Sequence, residues 1–419
     1  MDKYSSYKDS GVKWLGDIPS HWKINRIANY FTERKTKVSD KDYAPLSVTK
    51  MGILPQLDNV AKTNDEDNRK MVKVNDFVIN SRSDRRGSSG VSLMDGSVSL
   101  INIVLEPRPC ISPEYCNYLL KSYSFVEEFY RNGHGIVADL WTTRYDEMKT
   151  IKICIPPYQE QERISSYLDA ATAKIDEAIA QQQRMIDLLN ERKRIILANA
   201  VARGISEVES VKDSGVSYLG FIPNNWSVIA LNYLGSYSKK TVDPSELPNT
   251  ELLEYSMPAF DNGRVPHTVN SKDLDSAKTR LSESTLLINK LNVHKERIWF
   301  VENPSENSVA STEFIPIRIH SANPKFIEYA LQNHRITSYL IANSNGATNS
   351  QKRVSPNTIL GLKLAMPSID EQERIVKYLD GVYEPFKKAV DACQSVVASL
   401  QERKQIIIND VVTGKVKVF

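Results

Sequence analysis

The stretch KDSGVKWLGDIPSHW, Lys8 to Trp22, recurs in looser form as KDSGVSYLGFIPNNW, Lys212 to Trp226. The recurrence does not stop there. Ser112-Pro113 answers to Asn323-Pro324, EQER at Glu160 to EQER at Glu371, and ERK at Glu191 to ERK at Glu402, each pair 211 residues apart, and a glycine closes each copy at Gly204 and Gly414. The chain is therefore two copies of one unit, about residues 8–204 and 212–414. A period this long marks a duplicated domain pair, not a solenoid of short repeats.

At 419 residues the chain is long enough for two to three domains, each with its own core. Its 41% hydrophobic and 25% charged residues place it among globular proteins rather than disordered or membrane ones. The polar start MDKYSSYKDS lacks the apolar run of a secretion signal, and no window approaches the ~18 apolar residues of a membrane span. The expectation is a cytoplasmic protein with no membrane attachment. Four scattered cysteines without a CxxC pair predict reduced thiols and no metal site. A net charge of +3 neither requires nor forbids nucleic acid, because positive charge can gather on one face.

Each copy opens with a mixed portion. Short apolar runs such as DFVIN (Asp76 to Asn80) and TLLIN (Thr285 to Asn289) sit between turn residues and read as strands. SPEYCNYLL from Ser112 and NPKFIEYAL from Asn323 each offer an N-cap followed by proline, the start of a helix. The expected fold class is α/β.

After IPPY and MPSID the pattern changes to helical periodicity for about forty residues. A seam runs through Ile164, Leu168, Ala171, Ile175, Ala178, Gln182, Met185, Leu189, Arg192 and Ile196. Its counterpart is Ile375, Leu379, Val382, Phe386, Ala389, Cys393, Val396, Leu400, Arg403 and Ile407. Steps alternate four and three, the heptad signature. Two matched helices in one chain are expected to pack as an antiparallel coiled coil, roughly 60 Å long at forty residues each. Parallel packing would need a connection far longer than residues 204–212 supply. Pro385 has no counterpart at Lys174 and predicts a kink or local break.

Motifs for chemistry are weak. IPPY, Ile155 to Tyr158, resembles the [DN]PP[YF] motif of amino-group methyltransferases but lacks the acidic or amide residue, and reads better as the start of a helix. GHGIVA, Gly133 to Ala138, follows a helix instead of preceding one, so it reads as a helix end and loop and not as a dinucleotide site. No P-loop, HExxH or GxSxG occurs, and no catalytic residue or metal ligand is assigned.

What remains is polar recognition. NSRSDRRGSSG, Asn80 to Gly90, places Ser81, Arg82, Ser83, Arg85, Arg86 and Ser88 directly after a strand. Arginine pairs with guanine edges or phosphate, and serine hydroxyls suit phosphate oxygens. The equivalent strand of the second copy leads into Lys290, Asn292, His294, Lys295 and Arg297. Later loops add Thr142, Thr143 and Arg144 in one copy, and Asn349, Gln351, Lys352 and Arg353 in the other. Taken alone, either run suits a solvated surface loop; parallel placement in both copies favours DNA contact. One scaffold carrying two different faces suits the reading of two unlike half-sites.

The paired openings and the paired EQERI…YLD…ERK helices resemble the specificity subunit of type I restriction-modification systems over essentially the whole chain. The resemblance implies two target-recognition domains, at 1–157 and 207–367, each reading half of an asymmetric DNA site. Residues 158–206 and 368–419 would be the conserved helices that separate them, giving an internal pseudo-two-fold repeat. It further implies two modification subunits that methylate adenine using S-adenosylmethionine, and two restriction subunits that cleave unmodified DNA with ATP and Mg. No cofactor would be bound by this chain, which would not itself be an enzyme. Two alternatives stay open at this point: a structural adaptor or degenerate, unpartnered subunit, and a self-sufficient methyltransferase or nuclease.

Overall fold

The computed structural model describes residues 2–56, 67–135, 141–207, 210–237, 240–246, 250–346 and 352–418. The chain divides into two compact units, one made of Met1–Gln183 with Gln394–Phe419, the other of Arg184–Cys393. Each holds one mixed α/β portion and a length of both long helices, Tyr158–Arg203 and Ile369–Val412.

The two mixed portions share a topology. In the first unit an antiparallel sheet runs in the order Ser89–Val91, Phe77–Asn80, Asn102–Pro107, Phe31–Glu33. In the second the order is Ile298–Val301, Thr285–Asn289, Phe314–Ile319, Gly235–Tyr237. The central strands are apolar on both faces because both faces are covered. Phe77 and Ile79 point into the main core of the first unit while Val78 joins a smaller cluster with Val72, Val98 and Val104. Leu286 and Ile288 divide from Leu287 in the same way in the second unit, as the two-residue period of a strand requires.

The repeated opening is repeated because its side chains hold the structure. Lys8 Nζ donates to the carbonyls of Ser20 and Trp22 at 2.7 and 2.6 Å, and Lys212 Nζ to that of Asn224 at 2.8 Å. Asp9 and Asp213 accept from the amides of Gly11 and Gly215, whose φ values of 62° and 67° favour glycine. Trp22 and Trp226, both fully buried, donate from Nε1 to Glu160 at 3.0 Å and Glu371 at 3.2 Å. The next residue of each long helix completes the anchor. Gln161 and Gln372 accept from the amides of Ser112 and Asn323, both at 2.8 Å, and so tie down the capped helices Pro113–Lys121 and Pro324–Leu331. Tyr118 and Tyr329 add bonds to Asp169 and Asp380.

The long helices pack antiparallel within each unit. In the first, Ile164 and Leu168 share a core with Ile408 and Val411, and farther along Asp176 pairs with Lys404 at 2.7 Å. In the second, Leu197, Ala200 and Val201 share a core with Ile375, Val376 and Leu379, and the Lys193 ammonium lies 4.1 Å from the centroid of the Tyr383 ring. Pro385 does not break its helix, which runs through it. The carbonyl that the proline leaves unbonded belongs to Gly381, and both residues are exposed, so that carbonyl is open to solvent instead of buried.

The seam differs from the strict heptad. Ile164, Leu168, Ile375 and Leu379 are buried, and Ile175, Leu189, Phe386 and Leu400 are half-buried. Elsewhere the inward position has moved on by one residue. Ile186 is buried while Met185 is 49% exposed, Val396 is 44% exposed beside a half-buried Val397, and Leu197 and Ile408 are buried where Ile196 and Ile407 are half-buried. An α-helix of 3.6 residues per turn drifts about 20° per heptad against a 3.5 repeat, which accounts for the shift.

Chain order and spatial order diverge in the first unit. Val411 and Val412 lie in its core, Tyr115 Oη donates to the Val412 carbonyl at 3.2 Å, and Asp2 bridges to Lys417.

Candidate nucleic-acid interface

Two loops of nine residues, Asn80–Ser88 and Asn289–Arg297, leave equivalent strands and are built on one frame. The Asn80 amide donates to the Ser88 carbonyl at 2.9 Å, and the Asn289 amide to that of Arg297 at 3.0 Å. Asn80 Oδ1 accepts from the Arg82 amide at 3.0 Å, and Asn289 Oδ1 from that of Leu291 at 2.5 Å, an Asx turn in each copy. A second strip of chain lies against each loop. Ser83 N bonds Trp141 O and Thr143 N bonds Ser81 O; in the other copy Asn292 N bonds Lys352 O and Val354 N bonds Lys290 O, all at 2.8–3.0 Å. That strip bridges in turn to the end of a short helix, His134 to Thr142 and Asn345 to Arg353.

The structure thus brings together the sequence-assigned residues of each copy, but it employs them differently. Ser81 is buried and donates to the Ile101 carbonyl at 2.6 Å; Ser88 and Thr143 are buried as well. Arg82 pairs with Asp84 at 3.2 Å, and Arg86 pairs with Glu127 and lies over the Tyr130 ring. Arg85 has 69% of its side chain exposed and only a 3.9 Å approach to Asp84. Arg144 is exposed and begins the short helix Tyr145–Met148. In the second copy Arg297 is 6% exposed and clamped on both oxygens of Asp261 at 2.7 and 2.6 Å. Lys290 Nζ donates to the Thr312 carbonyl, and Arg353 pairs with Glu313, both at 2.7 Å. His294 and Lys295 are exposed and make no side-chain hydrogen bond or ion pair among the described residues, and Lys352 is half-exposed beside them. Asn349 and Gln351 lie outside the described residues, as does part of GHGIVA; upstream of that segment the helix Tyr123–Arg131 ends at Asn132.

Several contributors carried no sequence signal. A cavity of about 570 Å³ beside the first loop is lined by Trp14, Arg86, Tyr123, Tyr130 and Trp141 with Glu127 and Glu128. Burial there pushes the Tyr130 phenol up to about 12. The equivalent place in the second copy is a cavity of about 320 Å³ lined by Val293, His294, Ile341, Ser344 and Lys352. Ile341 and Lys352 stand 211 residues after Tyr130 and Trp141, so an aromatic pair in one site is replaced by an aliphatic residue and a lysine in the other. Asn80 and Asn289 were visible as a matched pair at the strand end, but their role in shaping the turn emerges only from the bonds. Among the described residues no group of three His, Cys, Asp or Glu is placed to hold a metal, and no helix is long and apolar enough to cross a membrane.

No protein-family model matches the chain. It is similar to the type I restriction enzyme StySPI specificity subunit of Salmonella potsdam, 23% identical over 313 residues, a match covering 71% of this chain and 65% of that one. It thus spans just under two thirds of that relative's length. The putative type I restriction enzyme MjaX specificity subunit of Methanocaldococcus jannaschii is 20% identical over 452 residues, covering 98% of each chain. Among solved structures, a chain described under "Structural basis underlying complex assembly and conformational transition of the type I R-M system" superposes with a TM-score of 0.65 at 15% identity, over 94% of this chain and 98% of that one. In sequence along nearly its whole length, and in the pairing of two mixed α/β portions with two long helices, the chain is similar to the specificity subunits of type I restriction-modification systems.

Proposed function

We propose that this chain is the non-catalytic DNA-recognition subunit of a type I restriction-modification complex. It reads a bipartite, asymmetric site with one half-site per mixed portion, and directs partner chains to methylate adenine or to cleave unmodified DNA. The observation that carries the reading is the pair of nine-residue loops, alike in their closing bond, Asx turn and contact with a second strip of chain, and different in side chains. A scaffold that keeps its bonds while exchanging its exposed groups is what recognition of two unlike sequences requires. Arg85 on one loop, and His294, Lys295 and Lys352 on the other, are the groups free to meet DNA.

The long helices support the partner half of the reading. Met185 and Val396, and likewise Ile195 and Ile406, are large apolar residues 44–52% exposed at equivalent places in the two copies. Exposed apolar residues repeated at equivalent places suit contact with two copies of one partner, here the modification subunits. S-adenosylmethionine, ATP and Mg would then be bound by the modification and restriction chains, in the cytoplasm. A net charge of only +3 fits phosphate contacts shared with those chains.

The test is to co-express the chain with its modification subunit and map N6-methyladenine across the host genome by single-molecule sequencing, with a culture lacking this chain as control. A split motif with a fixed gap should appear only when the chain is present, and exchanging residues 207–367 should change one half of it. A soluble complex that methylates no motif would leave an adaptor or degenerate subunit.

A further inference from the structure

The two loops share one left-handed backbone position and fill it with different residues. Gly87 and Glu296 each precede the carbonyl that closes the loop, and both adopt the left-handed conformation, with φ of 79° and 49°. Glycine takes that conformation freely; glutamate holds a Cβ against it, and tolerates it less well than asparagine, which stands at the loop's other left-handed position, Asn292. Such a residue persists where its surroundings over-determine it. At Glu296 the surroundings are Thr337, a buried residue of the helix His334–Ala342, whose hydroxyl donates to Glu296 Oε1 at 2.9 Å. The first loop has no carboxylate there and is tied the opposite way, by Arg86 to Glu127 on the helix Tyr123–Arg131. Those two helices are equivalent, so each loop sends one side chain across to the same neighbour, next to its exposed cations.

We infer that Glu296 and Arg86 are positioning residues for half-site selectivity, fixing the direction of His294 and Lys295 in one loop and of Arg85 in the other without touching DNA themselves. The inference rests on the DNA-recognition reading above. Glu296 lines a cavity of about 680 Å³ together with Lys193, Gln332 and Tyr383, so loss of its bond leaves the loop room to shift.

The experiment is selection from a pool of randomised duplexes by the full chain purified with its methyltransferase partner, followed by sequencing of the retained DNA. Glu296→Ala should lower discrimination at the half-site assigned to residues 207–367 by about tenfold, the scale of one mismatched base pair, and leave the other half unchanged. Glu296→Gln keeps an acceptor oxygen and should stay within about twofold of the parent. Thr337→Val breaks the same bond from the helix side and should match Glu296→Ala, so the outcome does not depend on the folding of one variant. Arg86→Ala should relax only the other half. The inference is overturned if Glu296→Ala and Thr337→Val keep parental selectivity, or if both halves weaken together. A parental complex that enriches no motif refutes the recognition reading itself, and shows this before any variant is compared.

Discussion

The opening anchor and the nine-residue loop are both duplicated, yet one repeats its residues and the other does not. In the anchor the bonds come from side chains: Lys8, Asp9, Trp22 and Glu160 each have a partner bond in the second copy, made by Lys212, Asp213, Trp226 and Glu371. In the loop the shared frame is made by backbone amides and carbonyls, with Asn80 and Asn289 as the side chain that makes the same bond in both copies. That asparagine is also the one position of the loop where the copies agree. Residues that hold are kept, and residues that are displayed are free to differ.

The largest test of this contrast is removal of a holding residue. Trp22→Ala and Trp226→Ala should each cost about 3–5 kcal/mol in their own unit, read by hydrogen exchange localised to that unit. Near-equal costs would sustain the equivalence of the two anchors; a tolerated loss in either would break it. The same contrast sharpens on the long helix, where Ile186→Ala should cost about 2–4 kcal/mol in denaturant unfolding and its neighbour Met185→Ala no more than about 0.5 kcal/mol. A reversed order would restore the strict heptad seam.

Within the loops the effects shrink. Asn80→Ala and Asn289→Ala each remove one turn bond and should cost about 1 kcal/mol, whereas Arg85→Ala and Lys295→Ala should change thermal stability by less than about 0.5 kcal/mol. An effect of similarly small size is electrostatic. The Arg297 guanidinium hydrogen-bonded to Asp261 holds that carboxyl below its usual range, so the pair contributes stability above the carboxylate's unfolded value, lost as pH falls through the lower folded one. Asp261 is half-exposed, and the contribution is about 1 kcal/mol or less after solvent screening. Asp261→Asn should flatten the second unit's unfolding profile below about pH 4 and leave the first unit's unchanged.

The same distinction governs what was legible from sequence. The duplication, the capped helices and the helix pairing were readable because the residues responsible appear twice. The loops were locatable because they follow equivalent strands, but the roles within them were not. Arg82, Arg86, Arg297 and Arg353 look like Arg85 in a string of letters, and only the positions of Asp84, Glu127, Asp261 and Glu313 distinguish them. Those carboxylates come from other elements in three of the four cases, and a composition-based reading has no access to them. The seam shift escaped because a heptad written on paper has no drift, and the unbroken passage of the helix through Pro385 depends on an exposed setting that lies outside the local pattern.

The discontinuity of the first unit sets an order of events during synthesis. Residues 184–393 form the second unit as one unbroken stretch, whereas the first needs residues 394–419 to supply Ile408, Val411 and Val412 to its core. At ribosomal rates of about 5–20 residues per second, the earlier-made portion waits roughly 10–50 s for its last pieces. The half of the molecule translated first is thus the half completed last, and a nascent chain exposes the apolar surface that Val411 and Val412 will cover until translation has passed them.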